Sequence, residues 1–143
     1  MNVQQALEKL KDKGYKYTDK REMMLRLIDK EKRYMTAKEV LIAMQELYPH
    51  ISFDTVYRNL SVFEEMAILE MTEFDGEKRY RFNCSLSSHH HHIICLECGK
   101  TQHIKACPME WLEESVESQF SVTGHKFEIY GCCADCQAQA EHC

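Results

Sequence analysis

The sequence predicts an α+β fold: an N-terminal winged-helix DNA-binding domain, then a small α/β dimerisation domain built on a four-cysteine zinc site. Two observations carry this. Residues 1–82 set out short helical patterns ahead of a two-stranded hairpin, the order of a winged helix. Cys95-Leu-Glu-Cys98 and Cys133-Ala-Asp-Cys136 then supply two Cys-x-x-Cys pairs, a common spacing for two ligands of one tetrahedral zinc. The run His89-His90-His91-His92 leads into the first pair, so imidazole and thiolate, the donors that borderline-soft divalent ions prefer, lie close in sequence. Purification tags sit at termini and are not followed by paired cysteines, so the histidine run reads as part of the protein.

The elements follow in order. Val3, Ala6, Leu7 and Leu10 recur at helical spacing, and Gly14 closes that helix. Thr18 or Asp19 caps a second helix that carries Leu25, Leu27 and Ile28. Thr36 with Glu39 has capping-box spacing and opens a third, through Val40, Leu41, Ala43, Met44 and Leu47, which Pro49 stops. Ser52 caps a fourth, Phe53 to about Met66, with Val56, Leu60 and Phe63 on one face and Tyr57, Arg58 and Ser61 elsewhere. Ile68–Thr72 and Lys78–Phe82 read as strands joined at Asp75-Gly76, a good hairpin turn.

In a winged helix the last helix enters the major groove and the hairpin lies along the phosphates. Tyr57 and Arg58 are therefore the recognition candidates, because Arg can bond guanine bidentately or clamp phosphate. Lys78, Arg79 and Arg81 on the hairpin, with Lys16, Lys20 and Arg21 upstream, are candidates for phosphate contact. Charge agrees with this division. Residues 1–82 hold 15 of the 18 Lys and Arg and 15 of the 23 Asp and Glu, so the acidic excess lies entirely in residues 83–143.

After Phe82 the pattern changes. Residues 83–88 are small and polar enough for a hinge, and His92–Ile94 and Thr101–Ile104 read as strands around the first Cys-x-x-Cys turn. Pro108 opens a helix over Met109–Phe120, and Val122–Tyr130 alternates as a strand before the second pair. Residues 89–143 are too few for a comfortable core, so zinc and pairing with a second copy would each help to stabilise them. On a strand His90 and His92 face one way and His89 and His91 the other, which makes two half-sites.

From Tyr17-Thr18-Asp19-Lys20-Arg21, through Asp54-Thr55-Val56-Tyr57-Arg58 and the His-rich run, to Tyr130-Gly-Cys-Cys-Ala-Asp-Cys136, the chain resembles the ferric uptake regulator family of bacterial metal-sensing repressors. The resemblance implies a structural zinc on Cys95, Cys98, Cys133 and Cys136, the four residues that spacing also selects. In the zinc-sensing branch, the zinc uptake regulators, the roles of regulatory ligands fall on Glu70, Cys84, His90 and His92. A third metal site falls on His89, His91, Glu110 and His125. The nucleic-acid face is read as Lys16, Tyr17, Arg21, Ser52, Thr55, Tyr57 and Arg58.

The implied function is a zinc-loaded repressor of zinc-uptake genes. It would bind a dyad-symmetric, AT-rich operator in double-stranded DNA as a homodimer, with one structural and one or two regulatory Zn2+ per chain. The alternative is an iron- or peroxide-sensing member of the same family. Such members typically use a histidine just before the third helix, where this chain has Lys32-Arg33-Tyr34-Met35. Two other departures stand out: Glu70 where the family usually has Asp, and Asp54 where its recognition helices commonly have Ala. His50, His103, Cys107, Cys132, His142 and Cys143 find no place in this scheme.

No apolar run approaches the roughly 18 residues of a membrane span, and the N-terminus lacks a signal-peptide pattern, so the expected compartment is the cytoplasm. Cysteines there are reduced and read as metal ligands. An enzyme is not expected, because no nucleophile or general base is left outside the ligand set.

Overall fold

In the first half, apolar side chains at helical spacing from four helices converge on one core that also takes in a hairpin. The computed structural model describes residues 1–84, 90–112 and 119–139. By internal contacts it divides into two compact units, Met1–Leu86 and Ser87–Cys143.

In the first unit, α1 (Val3–Asp12) starts at an Asn2–Gln5 capping box, and Gly14 at φ 88° lets the chain turn away after it. Thr18, rather than Asp19, caps α2 (Asp19–Glu31) by accepting from the Arg21 N–H. The Thr36–Glu39 capping box opens α3 (Ala37–Gln45) directly after a two-residue strand, β1 (Met35–Thr36). The sequence pattern does not reveal β1, because two residues carry no period. Ser52 caps α4 (Phe53–Glu65), whose Val56, Leu60 and Phe63 are fully buried.

β2 (Leu69–Phe74) and β3 (Glu77–Phe82) form the hairpin, and β1 adds to β3 for a sheet ordered β1-β3-β2. Asp75 and Gly76 both have positive φ, 51° and 75°, as a two-residue turn matched to the strand twist requires. Ala6, Met24, Leu25, Ile28, Val40, Met44, Ile68 and Tyr80 complete the core against α4.

The second unit is built around β4 (His91–Cys95). It pairs antiparallel with β5 (Thr101–Ile104) and parallel with β6 (Glu128–Gly131), giving the order β5-β4-β6. α5 is described over Met109–Leu112 and α6 over Ala134–Gln139. Residues 119 and 120 are not helical, so the helix expected to run to Phe120 stops before them. The strand expected over Val122–Tyr130 is likewise shorter. Parallel pairing with β4 begins only at Glu128, opposite His92, and the His125 ring turns to His91 instead.

Among the described residues of this unit, only Ile94, Cys95, His91, His92 and Gly99 are buried, while Trp111 and Phe120 are 72% and 75% exposed. One buried aliphatic residue is not a core. Of the described residues, no helix is long and apolar enough to cross a membrane.

The two units predict different responses to substitution. Phe63→Ala should destabilise the first by about 3–5 kcal/mol through loss of buried area and the cavity left behind. Thr36→Ala should cost about 1 kcal/mol through loss of the cap. Urea unfolding followed by far-UV circular dichroism checks both.

Candidate metal centres and nucleic-acid face

The four-cysteine site follows from two turns and one parallel strand pair. After β4 the chain reverses: Gly99 N–H donates to the Cys95 carbonyl at 2.9 Å, and Cys95 N–H to the Lys100 carbonyl at 2.8 Å. Gly99 has φ 78°, a conformation a side chain would strain. β6 delivers Cys133 to the same end of β4, and Cys133 N–H donates to Cys95 Sγ at 3.3 Å. The first turn of α6 then returns Cys136.

The ligand atoms of Cys95, Cys98, Cys133 and Cys136 all lie within 4.8 Å of one another, with Cys98 Sγ and Cys133 Sγ 3.8 Å apart. A tetrahedral zinc with bonds of about 2.3 Å has sulfur–sulfur edges of about 3.8 Å, so the donor set and its spacing fit that ion. Burial works against ionisation of Cys95, but the N–H groups of Cys133, Cys98 and Glu97 overcome it and lower the thiol to about 6. Hydrogen bonding with Cys133 and burial raise Cys136 to about 12.

Two more clusters flank β4 on its opposite faces. On one, the His90 and His92 rings are 5.0 Å apart, and His103 on β5 closes on them at 4.4 and 5.0 Å. His103 stands directly opposite His92 in the β4–β5 register. Sequence alone gives His92 and His103 on adjacent expected strands but not the register that sets them opposite each other. On the other face, His91 meets His125 and Cys107. Of the residues expected there with them, His89 and the Glu110 side chain lie outside the described residues.

Glu70 and Cys84 belong to the first unit, and both neighbour Arg81. Glu70 is opposite Arg81 in the β2–β3 ladder, and the Arg81 guanidinium donates to Cys84 Sγ. Cys84, Cys107 and the four clustered cysteines are thiols, whereas Cys132 is disulfide-bonded, a departure from the expectation of reduced cysteines throughout.

The residues read as a nucleic-acid face fall into two groups. Arg58 and Asp54, 77% and 79% exposed, pair on the surface of α4 at 2.7 Å. Tyr57 stacks on the exposed Phe53 with ring centroids 5.9 Å apart. Ser52 and Thr55 are joined by the cap, with their hydroxyl oxygens 2.9 Å apart. Arg21, in contrast, is tied inward: its Nε donates to Asn59 Oδ1 at 2.9 Å and its guanidinium lies over the Tyr15 ring. It thereby braces α2 against α4. Lys16 is exposed, and the exposed Tyr17 hydroxyl donates to Glu22 and Asp19, with the Glu22 bond foremost in pushing it up to about 12.

Comparison with known proteins agrees with this fold. Residues 12–130 match the model of the Ferric uptake regulator family. A ferric uptake regulation protein of Staphylococcus epidermidis is 46% identical over 140 residues, covering 98% of this chain and 99% of the relative. The ferric uptake regulator of Francisella tularensis with iron superposes with TM-score 0.69 at 28% identity, over 87% of this chain and 96% of that one. A zinc uptake regulator complexed with zinc and DNA has the same TM-score, 0.69, at 23% identity, over 95% and 93% of the two chains, and shares the fold.

A metal held by the four cysteines would make a direct prediction. Cys98→Ser should lower bound zinc by one equivalent per chain and remove hydrogen-exchange protection from β4 and β6. Protection in α1–α4 should persist, read by metal analysis and exchange mass spectrometry on the same sample.

Proposed function

The chain belongs to the ferric uptake regulator family, whose members are metal-responsive transcription regulators that bind DNA as dimers, and we propose that this one senses zinc and represses zinc-uptake genes from the cytoplasm. The observation that carries zinc is the character of the central donors. His90, His92 and His103 group as three imidazoles. Imidazole and thiolate suit zinc, whereas oxygen-rich octahedral sets suit harder ions.

We assign the regulatory ligands as Cys84, His90 and His92, with His103 in the fourth position that the sequence reading gave to Glu70. Glu70 then serves the wing beside Arg81. When bound, zinc would supply a fixed positive centre shared by Cys84, inside the 83–88 segment, and the imidazoles that follow that segment. The thiolate of Cys84 and the imidazoles of the second unit thereby hold the two winged helices of a dimer in one orientation. Recognition helices about 34 Å apart meet successive major grooves on one face of a dyad-symmetric operator. Relative orientations of the units in which all four donors meet would gain population when zinc is bound, which is a population shift. Tyr57 and Arg58 read base edges, and Lys16, Ser52, Thr55 and the hairpin cations meet phosphate. The four-cysteine zinc and a third site involving His89, His91, Glu110 and His125 complete the metal complement.

A second reading is iron sensing, favoured by the names of relatives such as the Staphylococcus epidermidis protein. The absence of histidine from Lys32–Met35 weighs against it.

Recovery of genomic fragments on the pure protein separates the two. Enrichment upstream of metal-uptake genes with Zn2+, but not with anaerobic Fe2+ or a chelator, supports zinc; enrichment with Fe2+ alone overturns it. Cys84→Ser and His103→Ala should each raise the zinc concentration needed for half-maximal operator binding at least about tenfold, while Glu70→Ala should leave it near that of the parent. Arg58→Ala should cost about 1–3 kcal/mol of operator binding. Asp54→Ala, which releases Arg58 from its own helix, should strengthen binding to random-sequence DNA and steepen its salt dependence by about one phosphate contact.

A further inference from the structure

On the face of β4 away from His90 and His92, three ligand atoms converge. His91, 7% exposed, holds its ring edge-on against Phe127 with centroids 5.2 Å apart. Its Nε2 lies 3.2 Å from His125 Nε2, and that same nitrogen lies 3.5 Å from Cys107 Sγ. All three atoms are within 4.8 Å of one another.

Hydrogen bonding accounts for only part of this. A ring nitrogen has one in-plane position, a proton or a lone pair, and so makes one good hydrogen bond. His125 Nε2 faces two partners. Tetrahedral zinc coordination accounts for both: bonds of about 2.0–2.1 Å to nitrogen and 2.3 Å to sulfur place nitrogen–nitrogen edges at about 3.3 Å and nitrogen–sulfur edges at about 3.6 Å.

We propose that Cys107 supplies a thiolate to a metal site with His91 and His125, so that the chain's further centre is a soft-donor site for zinc-like ions. This deepens the third site of the functional reading above and rests on that reading for its regulatory meaning. Sequence could not place Cys107 there, because it lies in the loop between β5 and α5 and belongs to no motif. A thiolate in this set disfavours Fe2+ and Mn2+ relative to Zn2+ and Co2+. The fourth position stays open to water or to a carboxylate.

Cobalt tests this without DNA, so failure here is distinct from failure of the regulator reading. Full-length Cys84→Ser protein retaining its one four-cysteine zinc is titrated anaerobically with Co2+. With Cys84 gone and the four clustered thiolates occupied, a thiolate-to-cobalt charge-transfer band should still appear. It should vanish in Cys84→Ser/Cys107→Ser, with Co2+ affinity down at least about tenfold. The exposed His125→Ala in the same background checks the site independently and should weaken Co2+ by a similar factor. Retention of one zinc and an unchanged circular dichroism spectrum identify folded protein. A band that survives Cys107→Ser, or no band in Cys84→Ser at full cobalt occupancy, overturns the proposal.

Discussion

The second half of this protein depends on four sulfur atoms being brought to one point. Its described strands bury a single aliphatic side chain, Ile94, together with Cys95 and two imidazoles, so among the described residues apolar burial contributes little to holding the sheet. The four-cysteine site supplies a substitute, a cross-link between the turn after β4 and the start of α6. Both histidine clusters are then consequences of β4. One strand, pinned at its Cys95 end, sorts successive histidines to opposite faces. The same five residues thus carry a structural ligand and members of two further sites, and a shift of register would disturb all three together.

The first half is organised by a different force. Its core is a conventional apolar one, and the N-caps at Asn2, Thr18, Thr36 and Ser52 fix where each helix begins. Those caps fix side-chain directions as well as stability. Ser52 sets the start of α4 and hence the angle around the helix at which Tyr57 and Arg58 emerge. Arg21 braces α2 to Asn59 of α4, so a residue read from sequence as a DNA contact also has a structural tie.

Much of this was legible in the sequence, for identifiable reasons. Period and caps located α1–α4, and Asp75-Gly76 located the hairpin, because those signals are local. Cys-x-x-Cys spacing selected the four sulfur ligands because each pair lies within one turn. Signals that depend on how strands are set beside one another were not legible. His103 and Cys107 looked like bystanders because only the β4–β5 register and the loop after β5 bring them to His92 and His125. The strand at Glu128 is shorter than its alternation suggests, since alternation extends back beyond the residues that pair with β4. β1 escaped notice because two residues cannot show a period.

The parallel pairing of β4 with β6 has a kinetic consequence. Parallel neighbours cannot be joined by a tight turn, and here the chain between them runs from Leu96 to Phe127 before His92 can meet Glu128. Such a contact of high sequence separation pays its loop-closure entropy before any pairing energy returns. A nascent chain therefore presents Cys95 and Cys98, a ready-made bidentate chelate, well before Cys133 and Cys136 leave the ribosome. Zinc captured by the first pair would wait as a half-filled centre, and arrival of the second pair would close the loop and the sheet in one event. Metal supply during synthesis would then govern how quickly the second half matures.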